Sequence, residues 1–106
     1  MFDPEDFLFL AKRLIEESDD EATLRTVISR AYYGAFLALR SSMNAKGATH
    51  KKFWTSVQAL DPALGEVGQR LRLPRNSADY GDSMPNLLVD SRVAIGRAEL
   101  ILERCR

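Results

Sequence analysis

Hydrophobic positions along this chain recur at intervals of three and four, the spacing of one helix face. The longest such run is Thr23 to Met43, where Leu24, Val27, Ile28, Ala31, Ala35, Ala38 and Leu39 share a face. Arg25, Thr26, Ser29, Arg30, Tyr33 and Arg40 fall largely on the opposite face, and Tyr32, Tyr33, Phe36 and Leu37 widen the apolar stripe to most of the circumference. A helix of this kind is surrounded by others, so it is expected at the centre. Its one glycine, Gly34, either marks a close approach by a neighbouring backbone or is simply tolerated, at a cost of about 1 kcal/mol relative to alanine.

Flanking segments carry the same period. Asp3-Pro4 reads as a helix start, with Asp3 as the cap. Phe7, Leu10, Ala11, Leu14 and Ile15 then line one face to about Ser18, leaving Phe2 and Phe9 off it. Asp19-Asp20 opens the long helix after a very short connection, which predicts antiparallel neighbours. Gly47 is the expected stop of that helix and Thr49 the cap of a third, His50 to Leu60, with Phe53, Val57 and Leu60 inward. Trp54 either completes the core or stands at an interface. Asp61-Pro62 starts a short helix, weakened by Gly65 and Gly68, which Leu73-Pro74 should terminate. Residues 75–86 then read as a polar loop. A final stripe of Leu87, Leu88, Ser91, Ala94, Ile95, Ala98, Ile101, Leu102 and Cys105 predicts the last helix. The pattern predicts one all-α domain over residues 1–106, an antiparallel bundle of four to five helices.

Composition changes this picture little. Of 106 residues, 45% are hydrophobic and 28% charged, which is ordinary for a globular domain. No apolar run approaches the roughly 20 residues of a membrane span, and the acidic N-terminus is unlike a secretion signal, so a cytoplasmic location is expected. A single cysteine, Cys105, rules out an internal disulfide. Charge is more informative. The net charge is zero, yet residues 1–22 hold eight acids against two bases, whereas residues 23–75 hold nine bases against two acids. A basic middle either faces phosphate or pairs with the acidic ends across the bundle.

Familiar catalytic patterns are missing. One histidine, His50, cannot make a two-histidine metal site, and no P-loop, zinc-protease or nucleophile-elbow motif occurs. The carboxylate pairs Asp19-Asp20 and Asp79/Asp82 are accounted for by capping and by turn formation. Three segments stand out together: Ser29-Arg30-Ala31-Tyr32-Tyr33, Thr49-His50, and Arg75-Asn76-Ser77-Ala78-Asp79-Tyr80. In order and spacing they resemble the HEPN superfamily of small helical proteins, many paired with minimal nucleotidyltransferases in toxin–antitoxin systems. The resemblance covers nearly the whole chain, and only the conjunction of the motifs carries it.

That resemblance implies a homodimer acting on RNA, as a metal-independent ribonuclease without cofactor or as a degenerate RNA- or nucleotide-binding relative. Arg75 matches the family's arginine, Asn76 its polar neighbour, and Tyr80 stands where the family's histidine belongs. Arg75 would hold a phosphate through its guanidinium fork, Asn76 would orient it, and Tyr80 would stack or donate a proton. A phenol titrating near 10 is a poor base at neutral pH, whereas an imidazole near 6.5 suits proton transfer. His50 could take that part if the fold brings it beside Arg75; otherwise it is an exposed residue at a helix start. Arg30 and Tyr33 lie one turn apart and either face the same groove or, for Arg30, form an ion pair. Arg75 has the alternatives of pairing with Asp79 or Asp82, and Tyr80 that of packing over the bundle end. Phe2, Phe9, Trp54, Val93 and Leu100 are candidate dimer contacts. The rival reading is a non-catalytic interaction module that pairs with itself or with a nucleotidyltransferase.

Overall fold

The computed structural model describes residues 2–45 and 49–105, so the expected stop at Gly47 lies outside the described residues. Five helices are present: α1 (Glu5–Glu17), α2 (Glu21–Ser42), α3 (His50–Leu60), α4 (Pro62–Tyr80) and α5 (Leu87–Arg104). The 22 residues of α2 reach about 33 Å at 1.5 Å per residue, close to the 37 Å longest dimension of the molecule. Helices α1, α4 and α5 all pack on α2, and α3 packs on α4. Paired positions set the directions. The start of α1 meets Gly34 late in α2, and Ala78 near the end of α4 meets Arg25 early in α2. Arg97 in α5 reaches Arg70 in α4. Neighbours joined by short connections therefore run antiparallel. None of the described helices is long and apolar enough to cross a membrane.

Local sequence sets most of the helix starts. Asp20, Thr49 and Asp61 each accept a hydrogen bond from the backbone N–H three residues on, at 2.8, 3.3 and 3.2 Å. At α1 the first helical residue is Glu5 and the cap position is Pro4, one residue later than expected; the Asp3 carboxylate accepts from the Glu5 N–H at 2.9 Å. Gly34 is a site of close approach: a Cβ there would lie 3.1 Å from the Pro4 carbonyl oxygen and 3.3 Å from the Leu8 nitrogen.

In four places the sequence expectation is corrected. Pro74 does not end α4, which continues through it to Tyr80 and stops at Gly81 in the left-handed region (φ 76°). A mid-helix proline orphans the carbonyl four residues back; here that carbonyl, Arg70 O, accepts a hydrogen bond from Arg97 Nη1 at 3.1 Å. Only residues 81–86 remain as the connection to α5. Second, Gly65 and Gly68 are contact points for α3: a Cβ at Gly68 would fall 2.0 Å from Trp54 Cε3, and one at Gly65 2.3 Å from Gln58 Cα. Trp54, seated against Gly68, is fully buried in the core rather than at the surface. Third, Leu60, expected inside, is 77% exposed where α3 ends. Fourth, Leu8 is buried in α1, although the helix pattern had favoured its neighbours Phe7 and Leu10, which are half-buried.

Gly68→Ala is expected to destabilise the fold by about 1–3 kcal/mol, because a methyl group meets the rigid indole and neither helix can retreat freely. Urea unfolding of the variant checks this. A midpoint equal to that of wild type would show that α3 and α4 do not interlock at Trp54.

Candidate nucleic-acid interface

Helix α2 presents Tyr32 and Tyr33 in succession, so one ring turns into the core while the other stays half-buried. The Arg75 guanidinium of α4 sits over both, with Cζ 4.9 Å from the Tyr32 centroid and 5.5 Å from that of Tyr33. Arginine is suited to this position because its planar, weakly hydrated head stacks on aromatic faces. Arg75 is only 8% exposed. Its Nη1 meets Asp79 Oδ2 at 3.4 Å, longer than the 2.7–2.9 Å typical of a strong charge-assisted bond. Its Nε is buried with no partner among the described residues. The guanidinium is therefore held in place by the rings and engaged only loosely by a carboxylate.

On the same aromatic cluster lies His50, the first residue of α3. Its ring stacks on Phe36 at 4.2 Å and 13°, and its Nδ1 lies 2.6 Å from Tyr32 Oη. Trp54 Nε1 donates to the same Tyr32 oxygen at 3.0 Å. Burial pushes the Tyr32 phenol above its ordinary value, more than Trp54 and Arg75 pull it down. Burial is also the main cause lowering the His50 imidazole from 6.5, with the charges of Arg75, Arg40 and Arg72 adding to it. His50 is consequently neutral at pH 7, and the fold is disfavoured when it takes a proton.

This has a consequence for stability. As pH falls below about 6.5, the unfolded chain binds a proton at His50 before the folded chain does, so stability is full above that value and declines below it. Urea midpoints at pH 7.5 and 5.5 are expected to differ less for His50→Phe than for wild type. An unchanged difference would place the acid sensitivity in the carboxylates alone.

The other sequence candidates divide. Arg30 Cζ lies 4.7 Å from the Phe7 centroid and 5.3 Å from that of Tyr33, and its Nη2 donates to Ser29 Oγ at 3.2 Å. No carboxylate pairs with Arg30, Arg40 or Arg72 among the described residues. Arg40 rests on Phe36, with Cζ 5.3 Å from the ring centroid, and Arg72 Nε donates to Gln69 Oε1. A groove of about 300 Å³ between α2 and α4 is lined by Arg25, Thr26, Ser29, Arg30, Ala78 and Asp79. Arg25 is committed elsewhere: it donates to the carbonyls of Ser77 and Ala78 in the last turn of α4 and to that of Asp82 just beyond it.

Asn76 is half-buried and makes no side-chain hydrogen bond among the described residues. Tyr80 is 77% exposed at the end of α4. Because residues 75–80 are helical, Tyr80 is rotated about 140° around the axis from Arg75. The residue that shares the Arg75 side is Asp79, one turn on. A single chain therefore joins Arg75, Tyr33, His50 and Arg30 on one aromatic cluster and turns Tyr80 away from it. Tyr32, Trp54 and Arg40 join the cluster without being candidates in the sequence, and the charge of Arg72 acts on it. A signal for one of them was present: Trp54 lies four residues after His50 in α3, so both reach the same phenol.

No protein-family model matches this chain, and no curated protein or solved structure matches it.

Proposed function

We infer that this chain is a HEPN-type domain that binds RNA through its phosphates, as a non-cleaving relative of the ribonucleases. The observation that carries this reading is the grouping of three arginines, Arg30, Arg40 and Arg75, on one aromatic cluster, with the charge of Arg72 also acting on His50 and with Asp79 the one carboxylate paired to any of them among the described residues. Guanidinium groups held on rings suit phosphate oxygens, and Tyr33 offers a half-buried ring on which a base can stack. Two features argue against cleavage. Tyr80, in the place of the family's histidine, is rotated away from Arg75, and His50 Nδ1 is already engaged by Tyr32.

The test is fluorescence anisotropy with a structured RNA across a salt series, alongside incubation of the same RNA with the protein in EDTA. Binding that weakens with a log–log slope of about −2 to −3, as for three or four phosphate contacts, with intact RNA, is the expected result. Cleavage abolished by Arg75→Ala would replace this reading with the nuclease one, and indifference to RNA would remove both.

A second reading, an interaction module that pairs with itself or with a minimal nucleotidyltransferase, is favoured by a separate observation. Val89, Val93, Gly96 and Leu100 are exposed at spacings of four, three and four on α5, an apolar stripe with open space over the glycine. Phe2 and Phe9 of the α1 end are exposed as well, and a homodimer would cover apolar side chains of this kind. Light scattering that reports only monomer at high concentration would count against self-pairing.

A further inference from the structure

Trp54 sets the direction of a hydrogen-bond chain. An indole Nε1–H only donates, so Tyr32 Oη is the acceptor in the 3.0 Å bond between them. The phenol keeps its own proton, and among the described residues the acceptor within reach is His50 Nδ1, at 2.6 Å. Nδ1 is thus an acceptor, and the neutral imidazole carries its hydrogen on Nε2. Stacking on Phe36 at 4.2 Å, and against Tyr32 at 5.5 Å, fixes the plane of the ring. Nε2 makes no hydrogen bond among the described residues. Arg40 shares the Phe36 ring with His50, and Arg75 shares the Tyr32 ring with it. Arg72 from α4 adds a third positive charge acting on the imidazole. An N–H donor without a hydrogen-bonded acceptor among the described residues, on a ring that three arginines act on, fits an oxyanion.

We propose that His50 Nε2–H donates a hydrogen bond to a phosphate oxygen of RNA, with Tyr32 and Trp54 as the positioning residues that hold the required tautomer. The proposal rests on the RNA-binding reading and gives His50 a recognition role within it. Neutral His50 cannot take the ribose 2′-hydroxyl proton here: Nε2 already holds a hydrogen, and Nδ1 would have to abandon Tyr32. The three residues form one device, in which a buried indole and phenol decide which ring nitrogen meets the ligand.

Because His50 is the only histidine, the experiment is unambiguous. Protein labelled with ¹⁵N in the imidazole is observed by long-range ¹H–¹⁵N correlation at pH 7.5, alone, with inorganic phosphate, and with a short oligoribonucleotide. The expected spectrum of the free protein shows a protonated Nε2 and an unprotonated Nδ1. RNA shifts Nε2 and leaves the tautomer unchanged; a phosphate response of the same kind assigns the shift to the oxyanion rather than to a base. His50→Ala is expected to weaken RNA binding about tenfold, with His50→Gln, whose amide can donate, recovering part of it. Tyr32→Phe should yield a mixture of tautomers. Since that variant leaves a buried indole N–H without its acceptor, the wild-type spectra decide the matter if it fails to fold. A free protein with its hydrogen on Nδ1 overturns the proposal. So does an Nε2 resonance unmoved by RNA that Arg75→Ala no longer binds, an outcome that leaves the RNA-binding reading standing. Absence of RNA binding by wild type removes both.

Discussion

Trp54→Ala is expected to lower stability by about 3–5 kcal/mol, a large fraction of the roughly 5–15 kcal/mol that holds a domain of this size together. The indole is fully buried, packs edge-on against Phe53 at 5.1 Å, and fills the slot left by Gly68. Its removal opens a cavity between α3 and α4 and takes away the donor to Tyr32 Oη. Thermal unfolding should fall by on the order of 15 °C. A double-mutant cycle with Gly68→Ala identifies the cause. In the Trp54→Ala background the added methyl enters vacated space, so Gly68→Ala should cost little or even stabilise. Strictly additive losses would mean that the two positions do not share one contact.

The second large effect concerns binding. Arg75→Ala is expected to reduce RNA affinity roughly 10–100-fold, the range for losing charge-assisted hydrogen bonds. Arg75→Lys should recover little of it, because a lysine neither stacks flat over Tyr32 and Tyr33 nor presents a planar fork. The fold should tolerate either change better than it tolerates loss of Trp54, since the Asp79 carboxylate left behind is about one-third exposed and can turn to water. Arg104→Ala is the control. Arg104 pairs with Asp61 at 2.9 Å, away from the aromatic cluster, so its removal should leave RNA affinity unchanged. Equal losses in the two variants would reduce the binding to bulk charge.

Those two residues also show what could be read in the sequence and what could not. The starts of α2, α3 and α4 were legible because each depends on a side chain bonding to a backbone three residues away, at Asp20, Thr49 and Asp61. The end of α4 was not legible. Pro74 is a sound local reason to stop, and the compensation comes from Arg97, far along the chain in another helix. That single misreading changed the site, because a loop would have left Arg75 and Tyr80 free to converge, and a helix sets them on different sides. Leu8 was missed for a related reason: α1 is gripped by both α2 and α5, which turns its apolar arc away from the face that a single partner would select. The motif residues Arg30, Tyr33, His50 and Arg75 were visible by type and spacing. Their common floor was not, since Tyr32 and Phe36 read as plain core until α3 laid His50 against them.

The most direct measurement is a backbone amide shift map on titration with structured RNA. Perturbations are expected at Arg30, Tyr33, Arg40, His50, Arg72 and Arg75, with the outer face of α5 from Val89 to Leu100 silent. Shifts confined to that α5 stripe, or none at saturating RNA, would contradict the assignment of RNA to the arginine-ringed aromatic cluster.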